Sequence, residues 1–235
     1  MRIFSQISKP VISSFPYLTT GLILNGDTHS LGLSNGANCT EFSNQVSGQN
    51  EGVQATSNYQ ALAVTGETPA SKTAISFDGV NDFYSFGNIL SGLSQASFYF
   101  LVKLASSYTS SAGAIANNSV GGGSYNHYGT VYTNIYEGLG STTRRSYTAP
   151  GNLASWHLMN ITTKANEYKI YNNANEVYSS TSNTVSFPSD FCIGKDGFYL
   201  EFKMLKLFVY DVAHSASEVS QMRDEFENEY SLTLT

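Results

Sequence analysis

The stretch from Phe198 to Tyr230, FYLEFKMLKLFVYDVAHSASEVSQMRDEFENEY, constrains the fold more than any other part of the chain. Its first half, Phe198 to Tyr210, is a long aromatic and aliphatic run, the signature of a strand buried on both faces. Its second half changes period. Ser215 and Glu218 have the spacing of a capping box, in which hydroxyl and carboxylate each satisfy the other's free backbone N–H. Val219, Met222, Phe226 and Tyr230 then fall on one face of a helix over 215–230. A strand that turns once and lays a short helix against its own sheet accounts for both halves. Asp224, Glu225, Glu227 and Glu229 crowd the helix's C-terminal half, the wrong end for the macrodipole by about 0.3–1 kcal/mol per charge. A solvated face is the simpler account of them, and a basic partner surface the sharper one. With Met204, Lys206, Phe208 and Tyr210 taken as one face of the strand, a lysine interrupts an apolar row. Burying it unpaired is costly, so Lys206 is expected beside a carboxylate or snorkelling to the rim.

The rest of the chain reads as short strands between turn signals. Gly21–Asn25, Ala74–Phe86 (a strand, a turn at Asp78–Gly79 and a strand resuming over Phe83–Phe86), Ala96–Leu104, Trp156–Thr162, Glu167–Tyr171, Val177–Ser179 and Phe191–Gly194 are the clearest. Shorter candidates are Val53–Ala55, Ala61–Val64, Ala114–Ala116, Val131–Ile135, Tyr136–Leu139 and Arg144–Tyr147. Between Gly26 and Thr73 lies a long polar stretch with weak periodicity, either surface loops or a functional insertion. With 16 Tyr and 14 Phe among 235 residues, and charged residues at only 13%, the composition suits pleated surfaces and turns. A dozen or so strands without a fixed repeat mean a sandwich or jelly roll. Residues 1–20 form an apolar arm broken by Pro10 and Pro16. Its Ile3, Phe4, Ile7, Val11, Ile12 and Phe15 must dock on the chain's own domain, residues 21–235, or anchor in a partner.

Several function classes are disfavoured. Net charge is −6 and the longest basic run is Arg144–Arg145, so no cationic stripe for nucleic acid is visible. No window is long and apolar enough for a membrane helix, and Met1 to Pro16 lacks the unbroken apolar core of a signal peptide. Cys39 and Cys192 read as two free thiols.

Three segments together resemble the concanavalin A-like, laminin G-like jelly rolls: SFDGVNDFYSF at 76–86, WHLMNITTKANEYKIYNNANEVYSS at 156–180, and LFVYDVAHSASEVSQM within the stretch described first. The resemblance implies an all-β, two-sheet antiparallel jelly-roll sandwich closed by one short C-terminal α-helix. The chain departs from the family pattern at Lys206, Val212 and His214 in the closing segment and at the Asn172–Asn173 turn. Such domains occur in adhesins, in enzymes and in virion proteins of tailed phages. Lectin-like glucanases carry carboxylates in E-x-D-x-E on one strand. Glu201–Phe202–Lys203 has one carboxylate, and GxSxG, HExxH and P-loop patterns are absent, so a non-enzyme is expected.

Two functions remain. The first is a structural or decorating virion protein of a phage, a head fibre or capsid decoration. It would be assembled in the host cytoplasm and anchored by residues 1–20 to other virion proteins or to copies of itself. The second is a carbohydrate-binding module for surface glycans. Tyr125, His127 and Tyr128, in a glycine-rich loop, are the candidates for stacking on sugars; Trp156 is expected in the core. No cofactor is required, with calcium as a candidate: Asp78, Asn81 and Asp82 offer oxygens in one turn. Asx-type bonds to the turn's own backbone are the simpler account of those side chains.

Overall fold

A computed structural model describes residues 16–66, 69–105, 114–117, 134–151, 153–196 and 198–235. In chain order the strands are β1 (Leu22–Asp27), β2 (Glu41–Phe42), β3 (Gly52–Val53), β4 (Leu62–Val64), β5 (Ala74–Asp78), β6 (Tyr84–Ser85), β7 (Gln95–Leu104) and β8 (Asn134–Glu137). They continue as β9 (Arg145–Thr148), β10 (His157–Lys164), β11 (Glu167–Asn172), β12 (Asn175–Ser180), β13 (Cys192–Ile193), β14 (Lys195–Asp196), β15 (Phe198–Tyr199) and β16 (Glu201–Tyr210). The helix α1 (Ala216–Tyr230) follows.

The large sheet has eight strands in the order β12-β11-β10-β7-β16-β5-β4, with β1 also paired to β16. The smaller sheet runs β13-β6-β3-β2. The strand pairs among the described residues are antiparallel. The fold is therefore the two-sheet antiparallel jelly-roll sandwich with one C-terminal helix.

Apolar side chains on both faces of β7 and β16 give the large sheet two cores. Phe77, Phe98, Phe100, Met159, Ile161, Phe202 and Met204 face the small sheet and meet Phe42, Tyr84 and Ile193. Phe77 and Phe202 stack there with centroids 4.3 Å apart. Tyr99, Leu101, Phe208 and Tyr210 face the other way, under α1, which contributes Val219, Met222, Phe226 and Tyr230. Trp156 packs half-buried at the edge of this second core. Tyr17 lies 4.7 Å from Phe208 and 5.2 Å from Phe226, so this end of the expected arm rests on the chain's own helix. The arm residues Ile3, Phe4, Ile7, Val11, Ile12 and Phe15 lie outside the described residues.

The capping box is present. Ser215 N–H donates to Glu218 Oε2 at 2.7 Å, and Glu218 N–H donates to Ser215 Oγ at 3.4 Å. The acidic side chains of the helix mostly have local partners. Asp224 pairs with Arg223, Glu227 accepts from Leu234 N–H, and Glu229 reaches Lys206.

One feature of β16 escapes the alternation read from the sequence. Against β7, Met204 pairs with Val102 and Lys206 with Leu101, so Leu205 is an extra, bulged residue. Since strand faces alternate with period two, one extra residue reverses which face each later side chain takes. Met204 therefore points into the inter-sheet core, while Lys206, Phe208 and Tyr210 line the helix side. This corrects the expectation that Met204 shares their face. The bulge is pinned from β1's end: Leu205 C=O accepts from Thr28 N–H at 3.2 Å and from Thr28 Oγ1 at 2.9 Å. Thr28 Oγ1 also lies 2.6 Å from Thr73 O. Thr28 is fully buried. Thr28→Val keeps the shape and removes the hydroxyl, and is expected to lower unfolding free energy in urea by about 1–3 kcal/mol. An unchanged value would mean the hydroxyl does not hold the bulge.

At the bulge, Lys206 stands directly opposite Asp27 across the β1–β16 ladder. Its Nζ is 3.2 Å from Asp27 Oδ2 and 2.8 Å from Glu229 Oε2. The carboxylate expected beside this lysine is thus present twice. The Tyr17 ring lies 4.7 Å from the same ammonium, and Tyr17 Oη donates to Glu229.

Candidate functional site

The motif SFDGVNDFYSF forms β5, a tight turn and β6. Gly79 has φ +73, and a Cβ there would lie 2.9 Å from Glu201 N, so the turn requires glycine. Asp78 Oδ1 accepts the N–H groups of Val80, Asn81 and Asp82 at 2.8, 3.1 and 3.4 Å. Asp82 Oδ2 accepts Asp78 N–H at 2.8 Å. These are the Asx-type bonds that the turn composition suggests. Asn81 Oδ1 is buried without a hydrogen-bond partner among the described residues. Burial pushes the Asp82 carboxyl up to about 6; the Asp78 N–H that it accepts opposes this, and the Asp78 carboxylate adds to it. Among the described residues, no group of three or more His, Cys, Asp or Glu side chains is placed to hold a metal ion.

This turn is one wall of a groove of about 650 Å³, within the range of small-ligand sites. Ser76, Asp78 and Asp82 line it from β5 and its turn, and Leu62 to Thr65 from β4 and just beyond. Asn35, Gly36 and Asn38 close a third side, and Ser57, Asn58 and Gln60 a fourth. The walls are held by backbone and amide bonds. Gly36 N–H donates to Ala63 O at 2.8 Å and Ala63 N–H to Ala37 O at 2.8 Å. Thr65 N–H donates to Asn35 Oδ1 at 2.9 Å, and Gln60 Nε2 to Gln54 O at 2.8 Å. Asn58 is exposed at the groove, and Leu62 in its lining is 45% exposed, apolar surface next to polar surface; Tyr59 is exposed but lies outside the lining.

The two Asp residues marked in the sequence thus share the groove, whereas Asn81 is outside its lining. Apart from Ser76, the amide and hydroxyl walls come from the polar 26–73 stretch, where the sequence suggested strands but no sugar-binding residue. The signal available there was the density of Asn, Ser and Gln, without periodicity to arrange it. Tyr125, His127 and Tyr128 lie outside the described residues. Cys39 and Cys192 are buried free thiols, with burial raising both. His157 is fully buried on β10, its Nδ1 2.9 Å from Ser155 O. Burial holds its pKa down at about 4.

No protein-family model matches the sequence, and no curated protein matches it. Solved structures are similar in fold. A Trypanosoma rangeli sialidase in complex with the inhibitor DANA superposes with a TM-score of 0.60 at 11% identity, over 88% of this chain and 33% of the sialidase. The chain thus spans about a third of that enzyme's length. Domain 4 of a GH43 extracellular arabinanase from Geobacillus stearothermophilus, in complex with arabinotriose, superposes with a TM-score of 0.59 at 15% identity, over 86% of this chain and 98% of that domain. A botulinum neurotoxin type C structure, whose cell entry depends on interaction with two ganglioside molecules, gives a TM-score of 0.54 at 9% identity, over 87% and 51%. At these identities the likeness is one of fold alone.

One expectation is corrected by these similarities. The sequence pointed to a non-enzyme because the glucanase carboxylate pattern is missing. A sialidase and an arabinanase are among the proteins similar in fold. That pattern belongs to one group of enzymes only, and its absence does not set the chain apart from others.

Proposed function

We propose that the protein is a carbohydrate-binding module and that the groove between β4, the β5–β6 turn and the Ser57–Gln60 segment is its sugar site. The observation that carries this reading is the groove's lining of amides and hydroxyls around the exposed Leu62. Sugars present hydroxyls around an apolar ring face, so they are recognised by such a mixture of polar groups and apolar surface. The fold similarity to an arabinanase domain holding arabinotriose and to a ganglioside-dependent toxin supports it. The virion reading rested on the apolar arm, the lack of a signal peptide and the missing catalytic carboxylates, none of which bears on the groove, so the second of the two functions expected from sequence becomes the proposal.

Glycan-array screening followed by calorimetric titration tests it. The full chain is expected to retain at least one oligosaccharide, and Asn58→Ala with Ser76→Ala to weaken that binding about tenfold or more, ~1.4 kcal/mol. Retention of no glycan, or binding indifferent to both substitutions, would remove the groove from consideration.

A further inference from the structure

The groove carries charge of one sign. Asp78 and Asp82 stand on its wall, and among the described residues no Lys, Arg or His lines it. Lys195, placed by the fold near the same turn, lies 4.6 Å above the Phe83 ring and does not line the groove. The chain's net charge, −6, has the same sign. The Asp82 carboxyl, titrating at about 6, is mostly ionised at pH 7.5. A carboxylated or sulfated sugar entering here would meet two carboxylates and no lining cation to pair with. A neutral sugar meets Asn35, Asn38, Asn58, Ser57 and Ser76 as donors and acceptors, and carboxylate oxygens that accept from its hydroxyls.

Resting on the carbohydrate-binding reading, we infer that the groove selects neutral glycans and rejects carboxylated and sulfated ones. Repulsion from two carboxylates at a partly solvated site amounts to about a tenfold difference in affinity. It weakens with salt, because exposed charges are screened within about 10 Å at 0.1 M.

The test titrates the full chain at pH 7.5 with matched neutral and uronate trisaccharides of glucose, galactose and mannose, with arabinotriose added, in low and in high salt. The expected result is binding of a neutral member, with its carboxylated counterpart about tenfold weaker in low salt and the gap narrowing in high salt. Asp78→Asn with Asp82→Asn should narrow the gap as well, and the salt series carries the test if that variant does not fold. A carboxylated member binding as tightly as its neutral counterpart, with binding lost in Asn58→Ala, overturns the charge selection and leaves the glycan-binding reading standing. Binding of no member, neutral or charged, overturns the reading and the selection together.

Discussion

Replacing Lys206 by alanine is expected to cost about 3–5 kcal/mol, among the largest single-residue effects in the protein. The lysine side chain is 4% exposed, and its partners Asp27 and Glu229 are 15% and 22% exposed. Removing the cation leaves Asp27 and Glu229 without the ammonium they share, in a partly solvated pocket beside Tyr17, and the loss of the lysine stem removes packing beneath them. For a domain of this size the loss corresponds to a fall in Tm of about 10 °C. The chemistry is separable. Lys206→Met keeps the stem, and combined with Asp27→Asn and Glu229→Gln it removes all three charges. That combination is expected to recover most of the loss, since a buried ion pair often adds little net stability over neutral residues that pack as well. Urea unfolding of the variants decides. Lys206→Ala within about 1 kcal/mol of wild type would show that the carboxylates rehydrate and that the pair contributes little.

The second large effect is acid sensitivity through His157. Its pKa is about 4 in the folded protein, because burial disfavours the imidazolium. In the unfolded chain it is about 6.5. The unfolded state therefore takes up a proton that the folded state refuses. The contribution of neutral His157 to stability is present in full above pH 6.5 and is lost as pH falls through 4. Integrated over that window the loss is about 3 kcal/mol, at ~1.4 kcal/mol per pH unit. Carboxylates and the other histidines titrate nearby, so the measurement is a difference. Unfolding free energies of wild type and His157→Gln are compared from pH 7.5 down to 4. Wild type should lose about 3 kcal/mol more than the variant. Parallel pH profiles would mean that His157 is protonated in the folded protein. The Ser155 carbonyl can only accept, so His157 donates through Nδ1–H, which fixes the tautomer.

The parts of the fold legible in the sequence are those where local chemistry and the final structure agree. Ser215 and Glu218 mark the helix start because both capping bonds lie within one turn. β7 and β16 are visible as apolar runs because both of their faces are buried. Lys206 stands out because an apolar row leaves a lone charge conspicuous. The bulge at Leu205 is hidden for the converse reason: in Met204–Leu205–Lys206–Leu207 both faces are apolar, so an extra residue breaks no pattern. The polar stretch from Gly26 to Thr73 resists reading because its strands are only two or three residues long. They are held by side chains such as Asn44, whose Oδ1 accepts from Asn25 N–H at 3.0 Å and whose Nδ2 donates to Ile23 O at 3.0 Å. Such bonds join distant segments and leave no period. The groove shares this origin, since Asn35, Asn58 and Ser76 come together only through the assembled sheet.

The position of β16 also has a consequence for biosynthesis. It is flanked by β7 on one side and by β5 and β1 on the other, and all three precede it in the chain. A nascent chain that has not reached Glu201 holds these neighbours with their inner edges unpaired and the rows headed by Phe98 and Tyr99 uncovered. Such long-range pairing is slow and leaves intermediates prone to association. Ordering of the large sheet therefore waits for the strand that follows its partners, and yield during expression should depend on conditions that protect β1, β5 and β7 until β16 has been made.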